Sequence, residues 1–169
     1  KKYKEAVAVA VEACADDTKG QTCFICMEGI HPETNEGLVR GCACRGAAGV
    51  AHVSCLARQA QVVAERTFDR WHTCGLCEQK YHGDVKCALG WACWKTYVGR
   101  LESGRLLSSA MRLLGNGLFA AEHYEDALSV DEAELSMLQR LGAPESYILS
   151  IQTNLAGTYS KLGRDEEAL

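Results

Sequence analysis

No apolar run in this chain approaches the roughly 20 residues that a helix needs to cross a bilayer, because the longest are interrupted within a few positions. A membrane span is therefore not expected. Positive charge is also in short supply: 18 Lys and Arg against 22 Asp and Glu give a formal charge of -4 and a pI near 5.7. That excludes nucleic acid as an expected partner, since its capture draws on a concentrated basic face. No hydrophobic leader precedes the charged start, Lys1 to Glu5, so a reducing intracellular setting is expected, the cytoplasm ahead of the nucleus. No cysteine follows Cys93. The chain opens inside a helical pattern and stops in mid-pattern at Glu166 to Leu169, so it reads as a piece of something longer.

What is present is a concentration of cysteine. Of 10 cysteines, all but Cys14 fall between Cys23 and Cys93, whereas the residues beyond about 103 are rich in Leu, Ala, Glu and Ser. Two units are expected, with a boundary near 99–104. In order, the donors are C-x2-C at Cys23 and Cys26, C-x-C at Cys42 and Cys44, H-x2-C at His52 and Cys55, and C-x2-C at Cys74 and Cys77. Eight thiolate and imidazole donors fill two tetrahedral sites, and sites with four protein ligands and no open position are structural. Residues 28–50 hold Gly29, Pro32, Gly37, Gly41, Gly46 and Gly49, too many breakers for a regular element. Two zinc ions are expected to order this loop, and their binding free energy to serve as folding free energy.

The rest of the chain reads as helix. Tyr3 to Ala15 carries Ala6, Val7, Ala10, Val11 and Cys14 at helical spacing, and His52 to Phe68 follows without Gly or Pro. A turn is expected at Tyr81 to Asp84 and a connecting helix at Leu89 to Leu101. Three further helices are expected at about Ser103–Ala121, His123–Leu141 and Glu145–Leu162, separated by breaks at Gly142–Pro144 and Gly163. At an offset of 41, Leu114, Gly115, Leu118, Ala127 and Leu128 align with Leu155, Ala156, Tyr159, Ala168 and Leu169.

The order of four cysteines, one histidine and three cysteines is shared by the PHD finger and the RING-CH (RING-variant) domain. The C-x-C pair, the seven-residue gap to His52 and Trp71 three positions before Cys74 depart from the PHD pattern. "CACRGAAGVAHVSCL" and "WHTCGLCEQKYHG" resemble the RING-CH core and its last ligand pair. The resemblance implies interleaved ligands, with Cys23, Cys26, His52 and Cys55 on one zinc and Cys42, Cys44, Cys74 and Cys77 on the other. "NLAGTYSKLGRDEEAL" and, less closely, "LGNGLFAAEHYEDAL" resemble tetratricopeptide repeats like those of kinesin light chain; the alternative is a plain helical hairpin packed on the zinc unit.

The fold class expected is thus a small zinc-stabilised α+β RING-variant domain followed by an all-α tetratricopeptide-like segment. Its divisions are an N-terminal helix at 1–20, the double-zinc domain at 21–86, a connecting helix at 87–102, and one full and one partial repeat at 103–169. The RING-CH resemblance implies a ubiquitin-protein ligase that forms no covalent intermediate, docks a charged ubiquitin-conjugating enzyme and acts by proximity. Ile25 and Leu76 are the implied docking residues, Leu56 lies behind them, and no catalytic residue is assigned. The helical repeats would bind a protein substrate or adaptor. Glu78 stands where many RING ligases carry a basic residue, with Lys80 two further on, and Ala57 to Ala60 lack the tryptophan common in RING-CH domains. The alternative is a non-catalytic zinc-dependent scaffold or a PHD-like reader. Arg45 is assigned a hydrogen-bonding role beside the zinc. Cys14, Cys87 and Cys93 are read as semi-buried thiols, and His31, His72, His82 and His123 as spare histidines.

Overall fold

A computed structural model describes residues 1–64, 67–99, 104–164 and 166. The chain forms α1 (Lys2–Ala13), α2 (Ala15–Thr18), α3 (Val53–Val63), a short 3-10 helix (Asp69–Trp71), α4 (Gly83–Tyr97), α5 (Gly104–Ala120), α6 (Tyr124–Arg140) and α7 (Glu145–Lys161). The glycine-rich stretch between α2 and α3 is loop. The expected β component is corrected: among the described residues there are only two isolated bridges, Val39 with Ala51 and Thr73 with Lys80. Loops that must place a ligand every few residues leave no room for a longer ladder.

Helix α4 is central, with α1, α3 and α5 packed around it. Val85, Ala88, Leu89, Ala92 and Cys93 are all buried, so this helix is apolar on several faces, as a core helix must be. It begins at Gly83 rather than Leu89, so the Gly83–Asp84 half of the expected turn is its first turn. His82, extended at φ -132 and ψ 171, precedes it, its N–H donating to the Gly41 carbonyl at 2.9 Å. Asp84 in the first turn suits the positive end of the helix dipole.

α3 ends at Val63 rather than Phe68. Beyond it, the Asp69 N–H donates to Thr67 Oγ1 at 3.1 Å and starts the 3-10 turn, which reverses the chain so that Cys74 can reach the second ligand group. Trp71, 2% exposed, then packs edge-on to Tyr97 at 6.1 Å, with Phe68 5.6 Å from the same ring. These aromatics tie the reversal to α4.

The remaining helices stack in order, α5 on α4, α6 on α5 and α7 on α6, with α5, α6 and α7 joined by turns short enough to make these three successively antiparallel. The α4–α5 crossing depends on two missing side chains. A Cβ on Gly90 would lie 3.0 Å from the Leu113 carbonyl oxygen and Leu114 Cα, and one on Gly117 would lie 2.9 Å from Cys87 Cα. Ser108 and Glu134, both buried, meet across α5 and α6, Ser108 Oγ donating to Glu134 Oε1 at 2.7 Å. Arg112 Nη2 donates to the same oxygen at 3.2 Å. Of the expected boundaries, Leu101, Ser103, Ala168 and Leu169 lie outside the described residues.

Candidate metal centre

The two C-x2-C segments fold alike. In the first, Cys23 N–H donates to the Glu28 carbonyl at 2.9 Å and Met27 N–H to the Cys23 carbonyl at 2.8 Å; in the second, Cys74 N–H donates to Gln79 at 2.9 Å and Glu78 N–H to Cys74 at 3.1 Å. Met27 and Glu78, one residue past each pair, take matching left-handed φ values of 64° and 58°. Ile25 N–H donates to Cys23 Sγ and Leu76 N–H to Cys74 Sγ, each at 3.4 Å. Such N–H to sulfur bonds stabilise a thiolate, the form that binds metal.

Tertiary folding gathers the eight donors into two groups. Cys23, Cys26, His52 and Cys55 form one and Cys42, Cys44, Cys74 and Cys77 the other, the ligand atoms of each lying within 4.8 Å of one another. The separations suit a metal at the centre. Sulfur atoms each about 2.3 Å from a tetrahedral zinc are about 3.8 Å apart. Cys44 Sγ and Cys74 Sγ are 3.8 Å apart, while His52 Nδ1 is 3.4 Å from Cys26 Sγ and 3.8 Å from Cys55 Sγ. Thiolate and imidazole donors at these distances fit two structural zinc ions.

The protonation tendencies agree with that chemistry. Burial pushes the His52 imidazole below its ordinary range, against the Gly29 backbone, and so favours the neutral form a metal takes. Burial raises the Cys42 and Cys55 thiols, so metal must displace their protons. The Gln79 backbone leads the effects that lower Cys77 to about 7. Gly49 closes the second site from one side: a Cβ there would lie 2.7 Å from Cys44 Cβ and 2.9 Å from Cys42 Sγ, and its φ is +75°.

Two supports are absent from the sequence reading. His52 is the N-cap residue of α3 and makes no side-chain capping bond, because its ring is committed to the ligand group. Glu36, from the glycine-rich loop, supplies the cap instead, its Oε2 accepting from the Ser54 N–H at 3.0 Å. Tyr3 Oη of α1 donates to Glu36 Oε1 at 3.0 Å, and burial first, then the Glu36 charge, raises the tyrosine pKa. A helix that begins on a metal ligand must borrow its cap, and that is the one signal the sequence offered. The other support is Arg40, whose guanidinium pairs with both Asp17 carboxylate oxygens and with the Gly46 carbonyl inside the C-x-C loop. The role expected of Arg45 belongs to Arg40; Arg45 is exposed.

Ile25 and Leu76 are 37% and 53% exposed, whereas Leu56 is 4% exposed and part of the core. Cys14 is buried, exchanging hydrogen bonds with the Arg40 backbone at 3.5 and 3.6 Å. Cys87 and Cys93 are buried too, at 4% and 0%, and burial raises Cys87 to about 11. His31 Nδ1 accepts from the Glu33 and Thr34 N–H groups at 3.2 Å, which places it in its own loop. His72 Nε2 lies 3.8 Å from Asp69 Oδ1, and His82 is exposed. No described helix is long and apolar enough to cross a membrane.

No curated protein and no solved structure matches the chain. Residues 23–77 do match the RING-variant domain family, a span that begins on the first ligand and ends on the eighth. With its two four-ligand clusters, that segment is a RING-variant domain.

Proposed function

We propose that this chain is a RING-type ubiquitin-protein ligase, docking a charged ubiquitin-conjugating enzyme on the zinc domain and a protein substrate or adaptor on the helices behind it. The observation that carries the reading is the pair Ile25 and Leu76. They occupy the same place in the two alike C-x2-C segments, and both leave apolar surface in solvent where the backbone is held by hydrogen bonds to the ligand sulfurs. Rigid apolar side chains are what a docking surface requires. Ligation would proceed by positioning the partner's thioester, with no nucleophile from this chain.

For the helices, support comes from three successive elements of 17 residues each and from the 41-residue offset. Leu114 and Leu155, equivalent under that offset, are 2% and 7% exposed. A tetratricopeptide-like array presenting a protein-binding face is the reading this favours. A thiol-rich zinc domain points to a reducing compartment, with the cytoplasm preferred.

A non-catalytic scaffold is the second reading, favoured by Glu78. This acid is exposed on the second zinc segment, where many RING ligases present a basic side chain. Autoubiquitination with a panel of conjugating enzymes separates the two. Activity that falls at least tenfold in Ile25→Ala, with two zinc ions retained per chain, is the expected result; silence of the wild type across the panel would establish the scaffold.

A further inference from the structure

Where α5 crosses the end of the zinc domain, a cavity of about 290 Å³ opens. Lys80 comes from the segment after the eighth ligand, Lys86 from α4 and Arg112 from α5, and no Asp or Glu is among the described residues lining it. Arg112 is balanced from behind by Glu134, at 3.2 Å, and its guanidinium also lies over the Tyr147 ring, 5.7 Å from the centroid. The two lysines have no ion-pair partner among the described residues. Burial, then repulsion from Lys80, holds the Lys86 amine below its ordinary range. Positive charge is thus gathered in this recess, and the two lysines there are left without a counterion.

Neutral donors share the recess. Ser109 and Asn116 line it from α5, one turn to either side of Arg112 along that helix. Two lining side chains, His72 and Arg112, each have a buried nitrogen, Nδ1 and Nε respectively, without a hydrogen-bond partner among the described residues. Phe68 and Leu113 add an apolar wall. A free anion has no use for such a wall, whereas the carbon attached to an esterified phosphate does.

We propose that this recess binds a phosphate monoester, with Lys80, Lys86 and Arg112 as its charged contacts, Ser109 and Asn116 as hydrogen-bond donors, and Phe68 and Leu113 against the ester carbon. Lysine serves here as a point charge for phosphate, while arginine offers a directed fork. The ester arrives either on a phosphorylated serine or threonine of a polypeptide or on a small metabolite.

The test titrates the zinc-loaded chain with inorganic phosphate, O-phosphoserine, a short phosphoserine peptide and the unphosphorylated peptide, following backbone and side-chain amide resonances. O-phosphoserine should move the Lys86, Ser109 and Asn116 signals, and Lys86→Gln should weaken binding roughly tenfold with zinc content unchanged. Tighter binding of the phosphopeptide than of O-phosphoserine would assign the polypeptide source, and equal binding the small molecule. Absence of shifts at about 10 mM O-phosphoserine, equal shifts with the unphosphorylated peptide, or shifts outside the recess would overturn the site. So would wild-type affinity in Lys86→Gln. If Lys86→Gln releases zinc, the wild-type titration alone decides. No conjugating enzyme is present, so failure here is separable from failure of the ligase reading.

Discussion

Asp131 lies on the buried face of α6, 2% exposed, with Glu134 one turn further on at 0%. Its Oδ1 has no hydrogen-bond partner among the described residues. Burial first, then the Glu134 charge, pushes its pKa up to about 7, against the opposing pull of Arg112. Its folded pKa is above the ordinary 3.8, so its contribution is complete below that value and is lost as pH rises to and through about 7. Between pH 6 and 8 the wild type should therefore lose about 1 kcal/mol more stability than Asp131→Asn, measured as the difference in urea midpoints at the two pH values. A parallel pH dependence in both proteins would show that Asp131 is already ionised at pH 6. A helical wheel places this residue inward, but its acid identity argues for solvent. Only the partners that Glu134 finds on α5, Ser108 and Arg112, explain why α6 turns this face to the core.

At the scale of elements, α4 and α5 hold together because Gly90 and Gly117 let one backbone approach the other. Gly117→Val would drive a side chain into Cys87 Cα and the Lys86 carbonyl oxygen, 2.9 and 3.0 Å from the new Cβ. Backbone atoms of a buried helix cannot turn aside as a side chain can. The substitution should cost about 1–3 kcal/mol of stability, read from urea denaturation, and wild-type stability would show that the helices cross elsewhere. Glycine within a helical pattern costs about 1 kcal/mol relative to alanine, which is a hint of a close approach without a hint of the partner. The helices themselves were legible to within a residue or two from α5 onward, where periodicity and breaks agree. α3 and α4 were less so, because their ends are dictated by where ligands must go.

Beside a smaller cluster of Cys87, Leu114, Leu118 and Ala127, the main apolar core of the described residues runs from Val7 and Ala10 of α1, through Cys23, Val39, Val53 and Trp71, to Cys93 of α4 and Ala110 of α5. Both ligand groups are embedded in it, so zinc and packing form one cooperative unit. Chelation is expected to open that unit. With zinc bound, Cys14, Cys87 and Cys93, at 8%, 4% and 0% exposure, should resist a thiol reagent; after chelation all 10 cysteines should react. Continued protection of Cys93 would mean that the helical part stands without the metal.

The ligand set, its metal and the run of helices followed from the sequence alone, because coordination chemistry needs particular donors at short spacing and helices declare themselves through local periodicity. Tertiary structure decided which remote groups serve those local features. Glu36 caps a helix whose own N-cap residue is a ligand, Arg40 rather than Arg45 braces the C-x-C loop, and Asp131 and Glu134 are buried against α5. Lys80 and Lys86 share a recess with Arg112 only because two glycines bring α5 against α4. Such pairings are set by through-space distance between elements, which no spacing along the chain encodes.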